Sequence, residues 1–195
     1  VTARLAPQWA TARTLADLGG LVAQWLEGTV LTQPGYHGGP DEETAELVPI
    51  LAAANRAGYV TYTSQPGFDG DGYNGEQWQQ RPAVEGLAAA ERDAVRLVRA
   101  AEAAGLRAVA QRASRWRCRQ ETAVTVTRSG WSGSVTWLPR TGFGVRLSRR
   151  ELASMYDGCS RDAVRAVQAA WQVTLVDPEW GPGGRLWDML DGWAR

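Results

Sequence analysis

The sequence predicts an α/β protein, with α+β as the neighbouring possibility: a mixed sheet with helices packed on it and a second half rich in β-hairpins. Three observations point there. Helical and strand-like stretches alternate through the first 112 residues, glycine and proline punctuate them, and after Arg112 the pattern turns to short β-branched runs around glycine. The division that follows is an α/β core unit at 1–112 and an extension at 113–195 that packs on it as a β-rich cover, together one compact domain. With 195 residues the chain can bury roughly two-thirds of its unfolded surface and needs no staples.

Residues 8–27 read as a helix, because Leu15, Leu18, Val22, Trp25 and Leu26 recur at helical spacing before Gly28 stops it. Residues 32–40, TQPGYHGGP, form a loop by composition. The next helix opens at Pro40, with Asp41, Glu42 and Glu43 at the positive end of its dipole. Leu47, Ile50, Leu51 and Ala54 face the core, Pro49 is expected to kink it, and Gly58 closes it. Tyr59–Thr63 is a β-branched and aromatic strand, and Ser64-Gln65-Pro66-Gly67 a type II turn. Residues 68–77, FDGDGYNGEQ, are expected to be an irregular excursion. A strand at 81–87 carries Pro82 at its start. Residues 89–104 form an alanine-rich helix with Val95, Leu97 and Val98 on or near its buried side, and Leu106–Arg112 a strand.

In the second half, Thr122–Thr127 and Ser134–Leu138 flank a hairpin, and Gly144–Leu147 is expected as a third strand. Ser148-Arg149-Arg150-Glu151 matches a capping box and starts a short helix. A helix at 160–170, a strand at 172–177 and a terminal helix at 185–194, docked by Trp187, Leu190 and Trp193, complete the order.

Composition excludes several chemistries. All 21 cationic side chains are arginine, so neither a Schiff-base lysine nor a Walker-type phosphate clamp exists. The single histidine, His37, with Cys118 and Cys159 forty-one residues apart, matches no zinc spacing. Asp69–Gln80 departs from a calcium loop at its sixth and twelfth positions, Asn74 and Gln80. No metal and no cofactor are expected. The amino terminus does not read as a signal peptide and no stretch approaches the roughly 18 apolar residues of a membrane span. With two separated cysteines this gives the expectation of a cytoplasmic protein with no membrane contact.

The net charge is zero, yet Thr14–Glu91 holds eleven acids against two arginines, while Ala103–Gln120 holds five arginines and no acid. Arg112, Arg115, Trp116, Arg117 and Arg119 interleave cations with an aromatic, a pattern that could track a phosphate backbone or simply form a solvated edge. With no net charge to attract polyanions, nucleic acid is not the expected partner.

Two loops carry the remaining chemistry. Ser64 and Gln65 stand at the carboxyl end of a strand, where ligands bind in open α/β sheets, and Gln80, Arg81 and Glu85 follow on the next strand. If the strands pair, Ser64, Gln65, Arg81 and Glu85 are expected to converge on one concave site, with Arg81 gripping an anionic group. The alternative is turn chemistry plus a structural Arg81–Glu85 ion pair. Tyr36 and His37, in the loop before the acidic helix start, would line the entrance. Glu85 or Glu43 is the candidate general base for metal-free hydrolysis or group transfer.

WLEG at 25–28, GGPDEET at 38–44, NRAGYVTYTSQPG at 55–67 and QRPAVEG at 80–86 together resemble the signature of an uncharacterised actinobacterial domain of unknown function. The resemblance covers about residues 8–90 and implies that the two loops belong to one recurring unit; it carries over no catalytic residue. The expected function is thus binding of a small polar molecule, with or without catalysis. The alternative is a regulatory or interaction protein of phage or mobile-element context, acting through its Arg/Trp-rich segment. Oligomeric state is left open by the sequence.

Overall fold

The computed structural model describes residues 5–36, 38–72, 76–113, 118–131 and 134–195. Two four-stranded sheets form the frame, with helices against the first. A short helix, α1 (Pro7–Thr11), precedes α2 (Leu15–Leu26). Thr14 caps α2 through a capping box with Asp17, and the expected stripe Leu15, Leu18, Val22, Trp25 and Leu26 is buried. A 3₁₀ segment, Glu42–Leu47, runs into α3 (Val48–Arg56). Pro49 falls in the first turn of α3, where amides have no helical partner, so no ladder bond is lost.

The first sheet has the order β1 (Tyr59–Gln65), β4 (Ala83–Ala88), β8 (Trp171–Val176), β5 (Arg107–Arg112). Each neighbouring pair is antiparallel, so the architecture is α+β and the parallel component of a mixed sheet is absent from it. Strand β8, from the second half of the chain, lies between β4 and β5, so this sheet is built from both halves. Between β4 and β5, α4 (Glu91–Ala103) covers one face through Ala94, Leu97 and Ala101; Val95, one position round the helix, is exposed rather than buried. Tyr59 is fully buried and its hydroxyl donates to the Val173 carbonyl at 2.9 Å. It lies against Gly86, where a Cβ would stand 2.6 Å from the phenol ring.

Residues 68–77 correct an expectation. They are not irregular throughout: β2 (Phe68–Asp71) and β3 (Gln77–Gln80) pair antiparallel, and β3 pairs with β6 (Cys118–Trp131), itself paired with β7 (Ser134–Arg146). This second sheet has the order β2-β3-β6-β7. Gly144–Arg146 is the end of β7 and not a separate strand.

The chain crosses between the sheets four times, and two of the crossings are short turns. Pro66-Gly67 carries the chain from β1 to β2, and Arg81-Pro82 returns it from β3 to β4. Gly67 adopts φ +91°, and a Cβ there would stand 2.6 Å from the Gly181 carbonyl oxygen, so glycine meets both a conformational and a spatial demand. The chain closes with α5 (Arg149–Met155), capped by Ser148 and Glu151 as expected, α6 (Arg161–Ala169) and α7 (Arg185–Ala194). No helix among the described residues is long and apolar enough to cross a membrane.

Candidate functional site

Two polar turns of similar composition lie in the first half of the chain, one before the 3₁₀ segment and one at the end of β1. Thr32-Gln33-Pro34-Gly35-Tyr36 and Ser64-Gln65-Pro66-Gly67-Phe68 each place proline then glycine in the middle, and Gly35 and Gly67 have φ of +75° and +91°. That is type II turn chemistry. In the first, the Tyr36 amide donates back to the Gln33 carbonyl at 3.3 Å. The turn packs on the end of α5, where a Cβ on Gly35 would stand 3.2 Å from the Met155 carbonyl oxygen.

Between the first turn and β1 lie two adjoining cavities of about 210 and 160 Å³. They share Val22, Gln33, Tyr36, Thr61 and Tyr62, and are therefore two lobes of one groove. The larger lobe adds Trp25, Asp41, Thr44, Thr63 and Ser64; the smaller adds Trp9, Met155 and Tyr156. Register along β1 slips between Thr61 and Thr63, so Tyr62 is the extra residue of a bulge, the device by which a strand re-aims a side chain.

The walls are held from behind. The Trp9 indole donates to the Thr32 carbonyl at 2.8 Å and the Trp25 indole to the Gly38 carbonyl at 2.7 Å. Thr61 accepts from the buried Asn55 amide at 2.8 Å. Tyr36 is partly exposed at the mouth, edge-on to Trp25 with ring centroids 5.9 Å apart, and its hydroxyl donates to Asp41 Oδ1 at 2.6 Å. That bond raises the Tyr36 phenol above its usual value. Burial, then the nearby Glu85 carboxylate and Tyr156, push the Tyr62 phenol well up, and burial does the same to Tyr156. Both therefore stand as neutral phenols throughout the physiological range.

Ser64 and Tyr36 thus line one groove, and the other described candidates do not line it. His37 lies outside the described residues. Strands β1 and β4 do pair, with Thr63 opposite Glu85 and Gln65 opposite Ala83, but neither lobe of the groove collects the four residues. Glu85 is 8% exposed and accepts from the Gly144 amide at 2.6 Å and the Thr174 hydroxyl at 2.9 Å, tying β4 to β7 and β8. Arg81 follows the second sheet: its amide donates to the Val124 carbonyl at 2.8 Å and its guanidinium to that of Ala123 at 3.2 Å, stacked 3.9 Å over the Trp180 ring. Burial, then the neighbouring Arg107, lower its affinity for its proton. Neither residue lines the groove, and the ion pair proposed between them is not among the described salt bridges. The Gln65 Oε1 is buried with no hydrogen-bond partner among the described residues, and the Gln80 carbonyl accepts from Gly181. Glu43 lines a separate open cleft with Pro66, Gly67 and Trp187.

Of the arginine segment, Arg112 is exposed, donates to the Ala169 carbonyl at 3.1 Å and stands 5.6 Å over the Trp171 ring. Arg119 lies on β6 opposite Val145; Arg115, Trp116 and Arg117 fall outside the described residues.

The family model for a domain of unknown function, DUF6919, matches residues 4–193. The chain belongs to this family. A search of the curated proteins gives no match. The DUF6919 match spans both sheets and all but the last residue of α7, so both QPG turns and the groove lie within the family's domain. Sequence reasoning missed Gln33, Asp41, Tyr62 and Tyr156. The repeated Gln-Pro-Gly-aromatic pattern was the available signal for the first; Tyr62 needed the bulge and Tyr156 the position of α5.

Proposed function

We propose that this DUF6919 domain binds a small polar molecule in the groove between the Thr32–Tyr36 turn and the carboxyl end of β1. One observation carries the reading: two adjoining lobes, lined by hydroxyls and aromatic rings, whose indole walls are already anchored to backbone carbonyls. A site whose supporting bonds are made in advance spends less of its binding energy on ordering itself. Metal-free hydrolysis or group transfer through Glu85 or Glu43 draws no support from the geometry, since neither lines the groove; Asp41 is the carboxylate within it. A cytoplasmic setting belongs to the same proposal and rests on the two separated cysteines. An actinobacterial origin fits the all-arginine cation set.

Native mass spectrometry of the purified protein tests this. A retained adduct is expected on the wild type and is expected to be lost in Tyr36→Ala with the melting temperature kept. An adduct that survives Tyr36→Ala and Ser64→Trp would place binding elsewhere.

A second reading rests on charge. Between Arg112 and Arg150 stand nine arginines and one acid, Glu121, against twelve arginines and twenty acids in the rest of the chain. Most of that segment is the β6–β7 hairpin, which supports a surface for an anionic macromolecule.

A further inference from the structure

We propose that the ligand of the groove is a neutral ring bearing several hydroxyl groups, of the size of a monosaccharide, either free or as the sugar of a nucleoside. This rests on the reading of the groove as a ligand site and adds the class of ligand.

Charge narrows the class first. Among the described residues, no arginine lines either lobe, and the one charged side chain is Asp41. A phosphate or carboxylate entering would be desolvated with no cation to meet it and a carboxylate nearby. The lining is instead built from uncharged groups that both donate and accept: Gln33, Thr44, Tyr62, Thr63, Ser64 and Tyr156. Neither the Tyr62 nor the Tyr156 hydroxyl makes a hydrogen bond to another described residue, whereas the Thr61 hydroxyl and both indole N–H groups are already engaged. The free valences are therefore hydroxyls, an amide and the remaining capacity of Asp41, which suit a ligand carrying several O–H groups.

Shape narrows it further. The lobes, about 210 and 160 Å³, together displace about a dozen waters at roughly 30 Å³ each. A pyranose takes the space of about six waters, so the larger lobe alone admits one and the two lobes together admit a nucleoside. Anchored indoles leave only ring surface facing inward, suited to the C–H face of a sugar, while the phenols and threonines meet its edge. A wholly apolar ligand would leave the two phenol hydroxyls unpaired, a loss that a hydroxyl-bearing one avoids.

Saturation-transfer NMR on the full chain tests the class with named probes: D-glucose, D-galactose, adenosine, glucose 6-phosphate and indole. Transfer to at least one sugar or to adenosine is expected, at least tenfold tighter than to the phosphate ester. Adenosine responding at its ribose while free sugars stay silent selects the nucleoside source, and free sugars responding selects the other. Tyr62→Phe and Tyr156→Phe, each removing one oxygen, are expected to weaken binding about fivefold; Gln33→Ala supplies the same readout should either destabilise the fold. Glucose 6-phosphate binding as well as glucose, or indole binding alone, with loss in Tyr36→Ala, would overturn the class and leave the groove a site. No transfer to any probe and no retained adduct would overturn both.

Discussion

Strand β4 is buried at every one of its six residues, whereas three of the four residues of β2 are exposed. The clusters of buried residues differ in the same direction. The first lies in a cluster that extends from Trp9 to Leu190 and draws on every long helix. The second centres on four buried residues, Ala83, Val124, Phe143 and Val176, and two of them, Ala83 and Val176, belong to strands of the first sheet. Among the described residues, the second sheet thus shares its buried cluster with strands of the first. Polar bonds across the seam, from the Gly144 amide to Glu85 and from the Gln111 side-chain amide to the Gly144 carbonyl at 3.0 Å, fix its position. A fold built this way should open in two stages, the poorer layer first.

The largest effect should come from the richer layer. Leu87, fully buried on β4, is expected to cost about 4 kcal/mol on truncation to alanine, read by urea denaturation as loss of the whole fold. A local effect confined to a few amides would break the comparison. Phe143→Ala is expected to cost about 3 kcal/mol, but locally: amides of β6 and β7 should exchange about a hundredfold faster while those of β4 and β8 keep their protection. Equal acceleration in both sheets would show them to be one cooperative unit.

The capping box of α2 gives a smaller, pH-dependent test. The Asp17 carboxylate accepts the Arg13 and Thr14 amides at 2.9 Å each, and these bonds hold it below the ordinary aspartate value of 3.8. A lowered folded-state value means stabilisation present above the unfolded one and lost as pH falls through the folded one. Asp17→Asn should therefore cost about 0.5 kcal/mol at neutral pH, the group being solvent-exposed, and the difference should vanish on acidification below 3.8. A gap that persists in acid would assign the cost to packing. The smallest expected effect concerns the charge carried by the poorer layer. At physiological salt, mixed single- and double-stranded oligonucleotides should show no sub-micromolar binding, because a neutral molecule offers little long-range attraction. Tight binding abolished by Arg119→Ala with Arg146→Ala would raise the second reading above the first.

The sheets also differ in how far the sequence revealed them. Elements governed by neighbours along the chain were legible: the Ser148–Glu151 cap, the buried stripe of α2, the strand starting at Tyr59. Elements governed by distant partners were not. Phe68–Asp71, with two aspartates and a glycine, has no strand periodicity; it is extended because Gln77–Gln80 turns back along it and is itself paired with Thr125–Arg128, some fifty residues on. Arg81 and Glu85 share a stretch of five residues but belong to different layers, since Pro82 marks the crossing between them, and four-residue proximity in sequence said nothing of that. Of the groove, Tyr36 and Ser64 were legible as loop polar residues; Asp41 was hidden by its suitability as a helix-dipole acid.

Gln65 stands directly opposite Ala83, so β1 and β4 would meet as a plain hairpin if nothing intervened. Residues 66–82 leave and rejoin that hairpin at a single point, with both ends already side by side. In engineering terms this is a port: a stretch that can be cut out and replaced by a two-residue turn, or exchanged for a foreign hairpin, without rethreading the first sheet.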